Sequence, residues 1–277
     1  MCIIKGVSMT LAEEYAQNGV AGPFSIVADG ELHSLREEML TADRQLNLMN
    51  SDYRCKSNVL FPWIDKISKH PKLVSLVSNL IGSNFHCWDT LLWFKNPQDG
   101  KDVGFHQDAT YWNFTNRHRA VTAWFTFDDA GPESGSVEYV VGSHRNLLMR
   151  HTDIKTDTNL LMRGQTVDME IPKTRLFTNV PAGNVMLHSP FIVHGSKSNK
   201  TDLPRYAMGM VFVSTECKPH LDISPESTVM ISGKDEYNYM LHDPLPTGNW
   251  TIDVNNWKLA YDRQHDNYYR MEQRNVL

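Results

Sequence analysis

The sequence predicts a mainly β protein with flanking helices, a double-sheet sandwich or jelly roll, and two observations predict it. The first 82 residues carry helix signals, and from Phe85 onward the texture changes to short aromatic and β-branched runs bounded by Gly, Pro, Asn and Asp. Helices first and many short strands afterwards is the order of a β-sandwich buttressed by helices. No repeat, low-complexity block or Pro/Ser-rich linker interrupts the chain. Residues 1–277 are therefore expected to form a single domain: a largely helical buttress over 1–82, the jelly-roll core over 83–215, and a C-terminal segment over 216–277 that packs on the core or forms a lid.

Each element has its own signal. Thr10 and Glu13 stand at capping-box spacing, each able to satisfy a backbone N–H at a helix start, so a short helix should run over residues 11–19. A second helix opens near Asp29, where Leu32, Leu35 and Met39 recur at i, i+3 and i+7. The third is cleaner: Pro71 suits a first turn, Leu73, Leu76, Val77, Leu80 and Ile81 line one face, and Gly82 stops it. Strands are expected near 85–95, 121–128, 136–141, 183–188, 190–194 and 205–214. A turn over 131–135 precedes Val137, Tyr139 and Val141, which recur with the period of a half-buried strand. Met208 and Met210 alternate on the last strand and should fill core gaps. Residues 250–269 carry Trp257, Tyr261, Tyr268 and Tyr269 among many polar side chains, as a segment laid over the barrel would.

Composition excludes several function classes. Lys+Arg 27 against Asp+Glu 32 leaves a net charge of −5, which gives no reason to expect binding to nucleic acid or an anionic membrane. Cys2, Cys55, Cys87 and Cys217 are scattered, without zinc-site pairing and too few for a disulfide scaffold, and read as reduced cytosolic thiols. The N-terminal apolar run is too short for a signal peptide and no stretch is long enough to span a membrane, so the cytoplasm is the expected location. The expected partner is a small-molecule substrate, with no nucleic acid and no membrane; assembly into a homo-oligomer is left open.

The chemistry concentrates in His106, Asp108 and His194, followed by Arg205. Two imidazoles and one carboxylate can occupy one face of an octahedral Fe(II) and leave three adjacent positions for oxygen and a bidentate co-substrate. His106 and Asp108 stand at i and i+2, which in an extended segment points both side chains to one face. His194 must return from another strand. An arginine fork pairs bidentately with a carboxylate, so Arg205 suits the far end of a dicarboxylate that chelates the iron. His-X-Asp alone is common, and a lone histidine is more often structural than a ligand. His188, six residues before His194 on the same apolar run, competes with it.

Taken together, Phe105-His106-Gln107-Asp108, Ala123-Trp124-Phe125-Thr126, Gly135-Ser136, Gly142-Ser143-His144 and His194-Gly195-Ser196 with Arg205 resemble the phytanoyl-CoA dioxygenase family of Fe(II)/2-oxoglutarate oxygenases. The resemblance covers roughly residues 10–215. It implies a double-stranded β-helix (jelly roll, cupin-like) core, with Fe(II), 2-oxoglutarate and O2 as cofactor and co-substrates. It assigns the iron to His106, Asp108 and His194, the distal carboxylate of 2-oxoglutarate to Arg205 and Ser196, and a place along the co-substrate pocket to Trp124. Gly195-Ser196 and the spacing to Arg205 favour His194 over His188, which then reads as structural. Val141 departs from the proline common before Gly-Ser-His, in a turn away from the chemistry.

The carrier-protein-linked halogenases of this family replace the aspartate by a small residue so that chloride can bind. Here Asp108 is present, and the tail around 229–233 still resembles that branch. The resemblance therefore implies a hydroxylase of specialised (natural-product) metabolism that releases succinate and CO2, with no catalytic side chain beyond the metal ligands. Trp93, Gln107, Tyr111, Trp112 and Phe114 are candidates for the substrate wall, against the plainer reading of aromatic packing. Desaturation, cyclisation or epimerisation by the same chemistry is the alternative within enzymes; a non-catalytic small-molecule-binding member of the fold is the alternative outside them. Structural zinc is disfavoured, since such sites normally take four protein ligands with Cys among them.

Overall fold

Leu11–Asn18 (α1) begins at a complete capping box: Thr10 Oγ1 accepts the Glu13 N–H at 3.3 Å, and Glu13 Oε2 accepts the Thr10 N–H at 2.8 Å. Gly19 ends it at φ 79°, a left-handed conformation that costs glycine nothing. The computed structural model describes residues 9–154, 156–161, 164–219 and 225–273; Cys2 and the two chain ends read above lie outside them. The chain continues through Val20–Ser25 (β1), Asp29–Leu46 (α2), Ser57–Leu60 (α3), Pro62–Ser68 (α4), Pro71–Ile81 (α5), Phe85–Lys95 (β2), Val103–His106 (β3), Ala120–Thr126 (β4) and Val137–Tyr139 (β5). It then forms His151–Asp153 (β6), Gln165–Val167 (β7), Leu176–Phe177 (β8), Asn184–His188 (β9), His194–Ser196 (β10), Arg205–Ser214 (β11), Ser227–Ser232 (β12), Leu241–His242 (β13) and Trp250–Gln273 (α6).

A seven-stranded sheet in the order β1-β9-β4-β11-β2-β12-β13 faces a four-stranded sheet in the order β3-β10-β5-β8. Every pairing in these two sheets is antiparallel except β12 with β13. This is the cupin-like double-stranded β-helix. Side-chain alternation sorts its layers. On β11, Met208, Met210 and Phe212 join the cluster under the helices, with Leu35 and Met39 of α2 and Leu73, Val77 and Ile81 of α5. Arg205, Gly209 and Val211, one residue out of phase, face the interior cavity. On β2, Leu92 and Phe94 go to the helices while Asp89, Leu91 and Trp93 face the cavity. A bulge between Val211 and Phe212 shifts the register so that Trp88 also turns inward.

The expected strands at 85–95 and 205–214 and the helix from Pro71 agree with the structure to the residue. One reading is corrected, the strand at 190–194, and three elements add detail that the sequence did not give. Within 1–82 lies a strand, β1, whose Gly22 and Pro23 break the alternating pattern and whose partner β9 is more than 160 residues away. The short α3 and α4 were not expected; Ser57 and Asn58 are held by hydrogen bonds to Thr90. The strand expected at 190–194 begins only at His194, because residues 189–192 close a turn with the Ile192 N–H on Ser189 O at 3.1 Å. The polar segment 250–269 is one long helix, α6, which inserts Trp257 and Ala260 into the main core. Among the described residues no helix is long and apolar enough to cross a membrane.

Candidate active site

His106 and His194 are direct cross-strand partners on β3 and β10, with ring centroids 4.3 Å apart. Adjacent strands thus deliver two imidazoles to one place. Asp108 joins them differently from the extended i, i+2 arrangement expected. The strand ends at His106, and Asp108 opens a 3-10 turn, Asp108–Tyr111, tied down by the Ala109 N–H on Pro190 O at 2.9 Å. Asp108 Oδ1 stands 3.4 Å from His106 Nε2 and 3.5 Å from His194 Nε2. The three ligand atoms lie within 4.8 Å of one another.

The donor set fits an iron of the two-histidine, one-carboxylate kind. His106 Nδ1 is 2.8 Å from Gly104 O and His194 Nδ1 is 3.1 Å from Ile192 O. A carbonyl only accepts, so each Nδ1 carries the hydrogen and each Nε2 presents its lone pair toward Asp108. Burial first, and His106 second, hold His194 well below the usual histidine range. Burial pushes the Asp108 carboxyl up, but His194, His106 and His188 together outweigh it and keep the group well below the carboxylate range.

His188, read as structural, instead contacts the carboxylate: its Nε2 is 3.2 Å from Asp108 Oδ2. Thr122, the cross-strand partner of His188, donates its hydroxyl to the same oxygen at 2.6 Å. Tyr139 Oη is 3.0 Å from His188 Nδ1. Because an ionised carboxylate only accepts, His188 Nε2 donates and its Nδ1 accepts from the tyrosine. Oδ2 is thus occupied by two donors from the seven-stranded sheet, which leaves Oδ1 for the histidine pair.

A second cluster is cationic. Arg205 and Lys95 are cross-strand partners on β11 and β2, and both are buried. The Arg205 guanidinium lies 5.4 Å from the Trp124 ring centroid; it donates to Trp93 O at 2.8 Å and Gly135 O at 3.2 Å, and its Nε has no partner. Lys95 Nζ donates to Ser196 Oγ at 2.6 Å and also contacts the Lys197 carbonyl. No carboxylate is within ion-pair distance of either cation among the described residues. Two buried positive charges without a counterion, one with an unpaired N–H, suit an incoming anion. Lys95 was missed by the sequence reading; the alternation of Asp89, Leu91, Trp93 and Lys95 on one face of β2 was the available signal.

Trp93, Tyr111, Trp112, Trp124, Ser196 and Arg205 line the same cavity as the three ligands. Two expected wall residues do not. Gln107, between the ligands, points away: its amide donates to Leu147 O and Phe191 O at 2.7 and 2.6 Å, and its carbonyl accepts the Met149 N–H at 2.7 Å. A side chain with all its polar groups spent on backbone is a strut. Phe114 packs edge-on against Trp88, 5.0 Å between centroids, behind the wall. The remaining side comes from α6, where Tyr261, Gln264, His265 and Tyr268, at i, i+3, i+4 and i+7, line the cavity. Gln264 Nε2 donates to Asp89 Oδ2 at 3.0 Å, joining this face to β2.

Known proteins resemble this chain. The profile of the phytanoyl-CoA dioxygenase family (PhyH) matches residues 15–207. Human peroxisomal phytanoyl-CoA dioxygenase is 24% identical over 238 residues, 77% of this chain and 70% of that protein. A probable alpha-ketoglutarate-dependent hypophosphite dioxygenase of Stutzerimonas stutzeri is 22% identical over 77% of this chain and 74% of its own. Among solved structures, the non-heme monooxygenase ThoJ in its apo form superposes with a TM-score of 0.85 at 21% identity, over 96% of this chain and 100% of that one. The alpha ketoglutarate dependent carbocyclase SnoK of nogalamycin biosynthesis superposes at 0.63 and 18% identity, over 83% of this chain and 95% of its own.

Proposed function

The chain belongs to the phytanoyl-CoA dioxygenase family of Fe(II)- and 2-oxoglutarate-dependent dioxygenases, and on that premise we propose that it hydroxylates an unactivated C–H bond of a small-molecule intermediate in natural-product metabolism, with release of succinate and CO2. His106, Asp108 and His194 hold the iron; Arg205 and Ser196 receive the distal carboxylate of 2-oxoglutarate, Lys95 stands behind Ser196 and holds its hydroxyl, and Trp124 covers the guanidinium. When bound, iron and 2-oxoglutarate supply the oxidising power for C–H cleavage.

The chain's own residues orient and exclude. The observation that carries hydroxylation is Asp108 Oδ1, 3.4 and 3.5 Å from the two histidine Nε2 atoms. A carboxylate in that position takes the coordination site that a halide would need. His188 and Thr122 keep it turned that way. Trp88, Trp93 and Trp112 make the wall largely apolar, which keeps water from the reacting carbon. The α6 face holds the substrate against that wall. This reading takes residues 1–277 as one oxygenase domain in which the N-terminal helices brace one face of the large sheet and α6 closes the other.

The natural-product assignment is supported by the likeness to ThoJ and SnoK, the second an enzyme of nogalamycin biosynthesis. A cytoplasmic location is supported by the free, buried thiols Cys55 and Cys217, each pushed up to about 12 by burial and so unreactive. The test is turnover of iron-loaded protein with labelled dioxygen and small molecules made by the enzymes encoded beside it. A product carrying one labelled oxygen, formed together with one succinate, is expected. A product lacking hydrogens but without new oxygen would give the enzyme to desaturation or cyclisation instead. Asp108→Ala should abolish turnover with the circular dichroism spectrum unchanged; full activity would remove Asp108 from the ligand set.

A further inference from the structure

We propose that His86, Asp235 and His242 form a second metal site, for a divalent cation of the zinc type, at the edge of the seven-stranded sheet. None of the three lines the active-site cavity. They come from three places: the start of β2, the loop between β12 and β13, and β13. His242 Nε2 is 3.0 Å and His86 Nε2 is 3.5 Å from the same oxygen, Asp235 Oδ2, and the ligand atoms lie within 4.8 Å of one another. Tetrahedral zinc with bonds of about 2.0–2.1 Å separates its ligand atoms by roughly 3.3 Å, a value the two distances bracket.

The pointer to a ligand is His86. It is 1% exposed, its Nδ1 has no hydrogen-bond partner, and its Nε2 stands off the carboxylate at 3.5 Å. A cation held between Nε2 and Asp235 Oδ2 would give this buried imidazole the close partner that a 3.5 Å separation does not. The N–H groups of Asn238 and Tyr237 donate to Asp235 Oδ1 at 3.0 and 3.1 Å, which leaves Oδ2 to the imidazoles.

The arms are set before any metal arrives. Gly233 packs so closely on the 83–84 turn that a Cβ there would meet Asn84 Oδ1 at 2.0 Å, and the Lys234 N–H donates to that oxygen at 3.1 Å. The loop that carries Asp235 is thereby pinned beside His86. The His242 side chain is 45% exposed, so water can complete the tetrahedron. The next residue, Asp243, stands 3.7 Å from Lys56 Nζ and 3.6 Å from Arg263 of α6, which ties the chain beside this site to α6.

Cobalt(II) titration of metal-free protein separates the two centres, because four-coordinate cobalt absorbs strongly in the visible and six-coordinate cobalt weakly. The starting protein is the His106→Ala/His194→Ala double variant, which removes the active-site ligands. We expect it to bind about one equivalent of cobalt or zinc with the intense four-coordinate spectrum, and to melt at higher temperature with zinc. His242→Gln, at an exposed position that does not threaten folding, should abolish both the spectrum and the zinc-induced shift, and His86→Ala should do the same. Absence of a bound equivalent in the double variant, or one unaffected by His242→Gln, overturns the proposal.

Discussion

His188 Nε2 lies 3.2 Å from Asp108 Oδ2, the oxygen turned away from His106 and His194. The carboxylate is therefore aimed by the large sheet while the small sheet supplies its fellow ligands. Removing the aim should be felt at the metal. His188→Ala is expected to lower iron affinity or activity roughly 10- to 100-fold, as loss of a residue behind a ligand does. His188→Gln, which keeps a donor, should recover much of it. Iron dissociation constants measured by titration decide the matter; equal affinity in His188→Ala and the parent would leave His188 a packing residue only.

Arg205, proposed above as the anion anchor, keeps an Nε without a hydrogen-bond partner. Arg205→Ala should raise the KM for 2-oxoglutarate roughly 10- to 100-fold, the value of a lost charge-assisted hydrogen-bonded pair, with kcat at saturating 2-oxoglutarate much less affected. Steady-state kinetics over a 2-oxoglutarate series is the measurement, and an unchanged KM would remove the residue from this role.

Lys95 gives the co-substrate site a pH dependence. Burial first and Arg205 second push its ammonium down to about 7, against 10.5 for an ordinary lysine. The charged form is present below that pH and is lost as pH rises through it, so attraction for a dicarboxylate weakens on the alkaline side. The KM for 2-oxoglutarate should be lower at about pH 6 than at about pH 8.5, and Lys95→Met should flatten the profile. In stability the sign is opposite. The unfolded lysine keeps its proton up to 10.5, so the penalty for burying the charge is present below about 7 and fades as pH rises from 7 toward 10.5.

Trp257 docks α6. It is 7% exposed, donates its indole N–H to Cys55 O at 2.8 Å, and packs 4.7 Å from the Tyr53 ring. Trp257→Ala should cost about 3–5 kcal/mol in urea unfolding. The same variant should raise KM for the organic substrate more than for 2-oxoglutarate, since α6 lines the cavity and does not touch Arg205 or Lys95.

The parts legible in the sequence were those with local period. Leu73, Val77 and Ile81 mark a helix face by spacing alone, and residues 205–214 mark a strand in the same way. Val20–Ser25 and Val103–His106 carry no such pattern; each is a strand because a distant partner, β9 or β10, supplies its hydrogen bonds. The ligand triad was readable because the chemistry restricts residue type. The contact of His188 with Asp108 and the pairing of Lys95 with Arg205 were not: the first depends on how the turn at Asp108 folds against β9, the second on cross-strand register, and no short window of sequence contains either.

Asp108 has one oxygen facing a histidine pair on one sheet and the other bonded to Thr122 and His188 on the opposite sheet. The proposed iron centre would therefore work as a caliper across the sandwich. A cavity cut far away under the helices, at Val77 or Phe212 for example, would let the large sheet settle by fractions of an ångström and would rotate the carboxylate with it. Metal affinity in this protein should then track the mechanical soundness of a core that no ligand touches.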